Sequence, residues 1–362
     1  MRKAIKTWFL AVLLLTPAIH VHAWPIPDTG QTKCYNNTAI IACPAEGQPF
    51  YGQDGSYRIN PHSYAKLDAA GNPLPDSAAA LWAMVKDNVT GLVWENKTDD
   101  GGIHDKDHTL AWTDTGTFIR ALNDARFGGF SDWRMPTIME LSSLIHISIP
   151  HPGPTIDAAW FPNTAPAHYW SSTVNVSNTG SAWYMGFNLA YVAIQWNNNS
   201  YPVRAVRGEQ PGSSSPLVDN ADGTVTDQGT GLMWQKVSAP AAYTWQQALA
   251  YAEGLTLAGH SDWRLPNRSE LQSLVDYSRG YPAIDPLLAP HTASSGYWSS
   301  TTDVNSKDDA GNITSAWYVN FESGTIFYVG LKNYTYSVRA VRTAQSTKKK
   351  VGLPWLQLML GD

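Results

Sequence analysis

Cysteine is almost absent from this chain of 362 residues. The only two cysteines, Cys34 and Cys43, lie close together near the N-terminus. This scarcity excludes a zinc site made of four thiolates. In an exported chain, two neighbouring cysteines usually form a disulfide, and we expect that pairing here. A metal ligand or a reactive thiol is the alternative.

Long apolar segments are absent as well. Residues 1–23 carry three basic residues, a short apolar run at 8–15 and small residues at 21–23, which is the pattern of a secretory signal peptide. The run is too short for a bilayer, and no later segment approaches the required ~20 apolar residues. No cysteine follows the predicted cleavage point to carry a lipid anchor. We therefore expect an exported protein without a transmembrane segment, in the periplasm, at the cell surface or outside the cell; an uncleaved anchor helix is the alternative.

Positive charge is scarce. The chain has 25 Lys and Arg residues against 30 Asp and Glu, and removal of the signal peptide leaves 22 against 30, a net charge of −8. An acidic protein lacks the basic face that binds nucleic acid. Nucleophile-elbow, phosphate-loop and metal-histidine motifs are missing too, so the sequence indicates no catalytic constellation.

The chain instead contains one long pattern twice. Five motifs recur in the same order, at residues 87–94 and 227–234, 131–136 and 261–266, 169–173 and 297–301, 181–184 and 315–318, and 203–207 and 338–342. A solenoid unit has about 20–50 residues, whereas a unit of roughly 120 residues can bury a core of its own. The sequence therefore predicts a tandem duplication of a globular domain.

Tryptophan is abundant, with 16 residues. Eight of them occupy equivalent positions in the two repeats: Trp94 and Trp234, Trp133 and Trp263, Trp170 and Trp298, Trp183 and Trp317. Because an indole contributes most when it is buried in a core, we expect these eight to be buried. Tryptophans that bind a ligand should then be among the unmatched ones.

These observations divide the chain into six segments. They are a signal peptide (1–23), a lead-in pinned by the disulfide (24–80), a first domain (81–207), a linker (208–217), a second domain (218–342) and a tail (343–362). We expect the lead-in to be irregular and to lie against the first domain. The tail is basic and then apolar, which predicts that it docks on its own domain or on a partner.

Within each domain, strand patterns come first, two helices follow, and strands return. A helix should begin after Thr244, where Gln247 completes a capping-box spacing, and a second helix after Asn267, with Glu270. The second of these spacings recurs in the first domain. This order predicts an α+β fold in which two helices pack on a twisted antiparallel sheet.

The repeated motifs resemble those of the Lcl C-terminal domain family of exported bacterial proteins. They read Asp-x-x-Thr-Gly-Leu-x-Trp, Trp-Arg-[Met/Leu]-Pro-x-x-x-Glu-Leu, Tyr-Trp-Ser-Ser-Thr, Ala-Trp-Tyr and Val-Arg-Ala-Val-Arg. The resemblance covers residues 84–207 and 218–342. The family is named after the tail of a collagen-like adhesin that attaches bacteria to host glycosaminoglycans, so the resemblance implies binding or adhesion.

More distantly, Trp-Arg-Leu-Pro before a glutamate-bearing helix, together with a closing strand that carries arginine, resembles the formylglycine-generating enzymes. That resemblance implies a C-type-lectin-like fold for each domain. It does not imply the enzyme activity, which needs a pair of cysteines near the end of the domain, because no cysteine here lies beyond Cys43.

Each repeat carries an Asp-Trp-Arg block before its second helix, with a glutamate six residues after the arginine. The residues are Asp132, Trp133, Arg134 and Glu140, and Asp262, Trp263, Arg264 and Glu270. We favour a structural role, a bidentate ion pair that fixes the helix entry; a clamp for an anionic ligand is the alternative. In the closing Val-Arg-Ala-Val-Arg strand, one of the two arginines should face the packed side and need a carboxylate there.

The first domain also contains an acidic insert at 98–108. Its carboxylates could supply oxygen ligands for calcium, from Asp99, Asp100, Asp105 and Asp107. An ordinary solvated loop is the alternative, and calcium is the one cofactor that the sequence suggests.

The loops before the last strand of each domain combine amides, hydroxyls and unmatched aromatics. The candidate ligand-binding residues there are Trp196, Asn197, Asn198 and Tyr201, and Asn333, Tyr334 and Tyr336. Such a surface suits sugars, because an aromatic face covers the apolar side of the ring while amides bond its hydroxyls. A hydrated turn with its aromatics packed on the sheet is the alternative.

The sequence therefore predicts an exported, non-enzymatic binding or adhesion protein with two lectin-like domains. Its expected partners are extracellular glycans or surface proteins, and its oligomeric state is left open. One alternative is an exported enzyme on the same scaffold that acts on a polysaccharide or a protein. Another is a structural protein that assembles on the surface.

Overall fold

The computed structural model describes residues 24–78, 82–210 and 217–344. The predicted signal peptide, most of the predicted linker and nearly all of the predicted tail lie outside the described residues. Within the described part of the chain, no helix has the length and apolar character needed to cross a bilayer.

The lead-in begins with a small hairpin and ends in strands that join the first repeat. The hairpin consists of β1 (Cys34–Tyr35) and β2 (Ile40–Ile41). The predicted disulfide between Cys34 and Cys43 is confirmed, with 4.9 Å between the Cα atoms. Two further strands follow, β3 (Tyr64–Leu67) and β4 (Pro73–Leu74).

The first repeat has short strands, then two helices, then an antiparallel meander. Before and between the helices lie β5 (Met84–Asp87), β6 (Val93–Glu95), β7 (Thr109–Ala111), α1 (Thr115–Asp124) and α2 (Ile138–Ser142). The chain continues with β8 (His168–Val174), β9 (Ser181–Gly186), β10 (Tyr191–Trp196), β11 (Ser200–Pro202) and β12 (Val206–Arg207).

The second repeat follows nearly the same order. It contains β13 (Leu217–Asp219), β14 (Thr224–Asp227), β15 (Leu232–Gln235), α3 (Trp245–Glu253), α4 (Arg268–Gln272), β16 (Gly296–Lys307), β17 (Ile313–Asn320), β18 (Ile326–Leu331) and β19 (Val341–Thr343). All pairings between these strands are antiparallel. The chain is therefore a mixed fold of few helices and many antiparallel strands, compatible with the predicted α+β class.

The repeated sequence signals act locally in the way that their chemistry requires. Before α2, the Thr137 hydroxyl accepts from the Glu140 N–H at 3.2 Å, and the Glu140 carboxylate accepts from the Thr137 N–H at 2.7 Å. Asn267 and Glu270 make the same reciprocal pair before α4. These capping boxes satisfy N–H groups that the first helical turn leaves unpaired.

The two meanders form one six-stranded sheet, in the order β16-β17-β18-β10-β9-β8. At its centre β10 and β18 run antiparallel, with Val192 opposite Ile326. The expectation of two domains that each bury their own core is therefore incomplete. The repeats also share a core, because residues of both, such as Leu141 and Leu271, belong to one buried apolar cluster.

Burial of the eight repeated tryptophans is confirmed. Each is at most 5% exposed. Trp133 and Trp170 lie in a second apolar cluster within the first repeat, and Trp263 and Trp298 lie in the corresponding cluster of the second. Each repeat thus has a private core beside the shared one.

The lead-in lies against both repeats, which corrects the expectation that it would lie against the first. Strand β3 pairs with β5 of the first repeat. The disulfide-bearing part also contacts the second repeat, at β16, the edge strand of the six-stranded sheet. There the Gln31 amide donates to the Thr302 carbonyl at 2.8 Å and accepts from the Thr302 N–H at 2.9 Å. A primary amide can bond an unpaired peptide group in both directions, which explains why the strand edge attracts this segment.

Candidate ligand-binding cleft

Trp196 ends strand β10 with its indole in solvent. Its side chain is 57% exposed, and it is the only exposed tryptophan among the described residues. The residue pairs with Ser181 of β9. A Cβ atom on the neighbouring Gly180 would lie 3.6 Å from the indole ring, in van der Waals contact with it. The missing side chain therefore leaves the space beside the ring free.

A cleft of about 490 Å³ lies beside this indole. It is lined by Thr113, Gly180, Trp196, Asn197 and Asn198. The backbone of Asn197 holds the turn in place, because its N–H donates to the Gly180 carbonyl at 3.0 Å and its carbonyl accepts from the N–H of Trp112. The cleft therefore offers one aromatic face, the exposed amide of Asn198 and one hydroxyl from a fixed backbone. The amide oxygen of Asn197 is buried, and its amide nitrogen donates to the Thr179 carbonyl.

Three of the four residues predicted to bind a ligand in the first repeat line this cleft. The fourth, Tyr201, does not. Its ring centre lies 4.7 Å from that of Trp170 and 5.0 Å from that of His168, in an aromatic cluster on the sheet. Strand alternation explains the difference, since Tyr201 lies in β11 and turns toward the core. Sequence reasoning did not identify Thr113 and Gly180, which are distant in the chain and carried no local signal.

The equivalent position in the second repeat is covered by the lead-in. Lys332 takes the place of Asn197, because its carbonyl accepts from the Trp245 N–H at 3.1 Å as that of Asn197 accepts from Trp112. The Lys332 side chain is only 2% exposed, and its ammonium donates to the Asn36 carbonyl at 2.8 Å. Burial lowers the pKa of Lys332 to about 7. The disulfide loop thus fills the position that is open in the first repeat.

Of the remaining candidate residues of the second repeat, two are exposed to solvent and one packs against another aromatic ring. Asn333 and Tyr334 are exposed. Tyr336 stacks on Tyr318 with 4.7 Å between the ring centres. The two loops are therefore not equivalent sites, because the lead-in covers the position in the second repeat that corresponds to the cleft of the first.

The acidic insert does not form the suggested calcium site. Among residues 24–78, 82–210 and 217–344, no group of three or more His, Cys, Asp or Glu side chains could hold a metal ion. The Asp105 carboxylate is occupied by the backbone N–H groups of Asp100, Gly101 and Asp107, at 2.7–2.8 Å. Asp99 pairs with Lys106. The carboxylates stabilise the loop itself.

The Asp-Trp-Arg blocks form two ion pairs in each repeat. Arg134 donates to both oxygens of Glu140 at 2.8 and 2.6 Å in a bidentate arrangement. Asp132 pairs with Arg207 of the closing strand at 2.7 Å rather than with Arg134. The second repeat has the same pairs, Arg264 with Glu270 and Arg342 with Asp262. Each guanidinium is bonded within its own domain, as a structural role requires.

The expectation that the inward-facing arginine of the closing strand needs a carboxylate is wrong. Arg204 is fully buried and donates to the Glu95 carbonyl at 2.6 Å and the Thr164 hydroxyl at 2.7 Å. Arg339 of the second repeat likewise donates to the carbonyls of Gln235 and Lys236. Peptide carbonyls therefore replace the carboxylate, and both guanidiniums support the fold.

A larger cleft of about 730 Å³ lies between the lead-in and α3. Its lining includes Phe50, Tyr57, Glu253 and Trp263. The Tyr57 hydroxyl donates to the Glu253 carboxylate at 2.8 Å, and burial raises the pKa of that carboxyl. No sequence motif predicted this cleft, because docking of the lead-in on the second repeat creates it.

The family comparison agrees with the internal repeat. The sequence pattern of the Lcl C-terminal domain matches residues 83–207 and again residues 223–342, so it covers more than half of the chain. No curated protein is similar enough to the chain to count as a relative.

Proposed function

This chain belongs to the Lcl C-terminal domain family, which it matches in two tandem copies, and we propose that it is an exported, non-enzymatic binding protein that holds a glycan in the Trp196 cleft. The observation that carries the proposal is the exposed Trp196 indole beside the exposed amide of Asn198 in a concave surface. An aromatic face covers the apolar side of a sugar ring, and amides bond its hydroxyls.

The fixed geometry of the cleft supports this proposal. Asn197 is anchored through its own backbone and through its side-chain amide, which donates to the Thr179 carbonyl at 3.2 Å. Binding therefore requires little ordering of the turn, which reduces its entropic cost. The exposed Asn198 beside it remains available for hydroxyl groups.

We further propose that each repeat is a C-type-lectin-like domain and that the protein acts in adhesion. The resemblance of the Trp-Arg-Leu-Pro block to formylglycine-generating enzymes supports the first point. The signal-like N-terminus supports export to the periplasm, the cell surface or the medium.

The test is a glycan array probed with the protein that remains after removal of residues 1–23. Specific retention is expected, and Trp196→Ala should abolish it. The matched control is Tyr334→Ala, which removes an exposed aromatic from the corresponding loop of the second repeat. Absence of retention on every glycan, or equal retention by Trp196→Ala, contradicts the proposal. Consumption of the glycan would favour the alternative of an enzyme.

A further inference from the structure

A third cavity, of about 350 Å³, lies where the two repeats meet. One wall consists of Thr173 and Val174 at the end of β8, and the other of Val275, Tyr277 and Ser278 after α4. The Tyr277 ring is held in place by Trp183, with 4.8 Å between the ring centres. We call this cavity the inter-repeat groove.

The repeat relates this groove to a second place in the molecule. The Tyr-Trp-Ser-Ser-Thr motif makes Thr173 equivalent to Thr301, and Val174 therefore to Thr302. The Glu-Leu motif of α2 and α4 makes Tyr277 equivalent to Ile147 and Ser278 to Ser148. At that second place, the counterpart groove, the chain's own lead-in is bound.

In the counterpart groove, residues 29–31 lie between the two walls. The Ile147 N–H donates to the Thr29 carbonyl at 2.8 Å, and the Ser148 hydroxyl donates to the Gly30 carbonyl at 2.9 Å. On the other wall, Thr302 exchanges two hydrogen bonds with the Gln31 amide.

A further hydrogen bond joins the same wall to another residue of the lead-in. The Thr301 hydroxyl donates to the Asp54 carboxylate at 2.6 Å. The four residues that bond the lead-in here, Ile147, Ser148, Thr301 and Thr302, all have equivalents in the lining of the inter-repeat groove. The same four positions therefore line both grooves, and the lead-in occupies one of them.

Three of the four corresponding positions of the inter-repeat groove have no such partner, whereas the hydroxyl and the N–H of the fourth, Ser278, donate to the Asp276 carboxylate at 2.5 and 3.0 Å. In the part of the chain that the structure describes, the Tyr277 N–H has no acceptor, and the Thr173 hydroxyl accepts a bond from Ile138 but donates none. Val174 faces Ala182 as Thr302 faces Ala316, so its peptide group points outward in the same way. Val176, beside it, is 46% exposed.

We propose that the inter-repeat groove binds an extended peptide segment of a partner protein, held as residues 29–31 are held in the counterpart groove. The segment places a carbonyl on the Tyr277 N–H, as Thr29 places its carbonyl on the Ile147 N–H. It also carries an amide side chain for the peptide group of Val174. This site is separate from the Trp196 cleft and binds a different class of ligand.

The test is a titration of the full chain with a labelled peptide of residues 26–33, Ile-Pro-Asp-Thr-Gly-Gln-Thr-Lys. Saturable binding is expected, and Ser278→Trp, which fills the groove from an exposed position, should weaken it at least about tenfold. The matched control is Arg279→Trp, an exposed neighbour outside the groove, which should bind as the parent does. A peptide with alanine in place of Gln31 should bind more weakly.

Several outcomes would overturn the proposal. One is the lack of saturable binding, and another is equal binding by the parent and Ser278→Trp, provided that both melt at the same temperature. Binding that appears only after removal of residues 345–362 would assign the groove to the chain's own tail. Because Trp196→Ala leaves this groove intact, peptide binding by that variant separates this test from that of the glycan cleft.

Discussion

Val192 lies opposite Ile326 in the six-stranded sheet, and the two residues occupy the same position in their repeats. The matches of Trp183 with Trp317 and of Phe187 with Phe321 establish this equivalence. Ser142 and Gln272, equivalent residues of α2 and α4, also contact each other through a hydrogen bond of 2.8 Å. Contacts between equivalent residues are those of a two-fold axis. The repeats therefore pack like the subunits of a symmetric dimer within one chain.

This arrangement predicts that damage at the axis reaches both repeats. Val192→Asp places an unpaired carboxylate in the shared core, which should cost several kcal/mol of unfolding free energy. Hydrogen exchange should accelerate in β8–β10 and in β16–β18 together. Ile194→Asp is the control, because Ile194 lies on the same strand and is 42% exposed. Faster exchange confined to the first repeat would show that the repeats are energetically independent.

Because the repeated tryptophans are buried in the apolar clusters of the single repeats, we expect their loss to lower the free energy of unfolding strongly. Trp263→Ala removes a fully buried indole and should lower the free energy of unfolding by about 3–5 kcal/mol. Trp196→Ala is the comparison, since its indole is mostly exposed and should cost much less. Denaturant titration of both variants measures the difference. A midpoint for Trp263→Ala close to that of the parent would contradict the assignment of Trp263 to the core.

The sequence predicted those features whose signals are local. The capping boxes at Thr137 and Asn267 depend on residues three apart, and burial of the tryptophans follows from their repetition. It did not predict the pairing of Val192 with Ile326, because register between distant strands is set by packing of the whole chain. Trp196 was a candidate because its loop combines amides with an unmatched aromatic residue. The position of Tyr201 depends on the alternation of side chains along β11, which the composition of the loop does not show.

Because the disulfide loop covers Lys332, loss of the disulfide should change the reactivity of this lysine. Replacing Cys34 and Cys43 by serine removes a loop constraint worth roughly 2.5 kcal/mol in the unfolded chain, and the lead-in should loosen. Lys332, now covered by Asn36, should then react faster with an amine-directed reagent. Lys66 is the control, because it is 7% exposed and bonds the carbonyls of Asp76 and Ala78 in the part of the lead-in that pairs with the first repeat. Unchanged labelling of Lys332 would show that the lead-in docks without the disulfide.

Asp54 predicts how docking of the lead-in depends on pH. Its carboxylate is buried, accepts from the hydroxyls of Thr29 and Thr301 at 2.6 Å each, and has a pKa raised by burial from 3.8 to about 7. The folded protein therefore keeps this proton to a higher pH than the unfolded chain does. The resulting contribution to stability is fully present below about pH 4 and is lost as the pH rises through about 7.

Asp54→Asn tests this contribution, because the amide keeps an acceptor oxygen and does not titrate. We expect the unfolding free energy of the parent, relative to the variant, to fall between about pH 4 and about pH 7. Asp68→Asn is the control, since Asp68 is an exposed carboxylate of the lead-in whose pKa is lowered by hydrogen bonds from Asn72. The unfolding free energy of the parent, relative to Asp68→Asn, should not fall between about pH 4 and about pH 7, because both proteins keep Asp54. If the unfolding free energies of Asp54→Asn and of the parent changed in parallel across that pH range, Asp54 would be ionised in the folded protein.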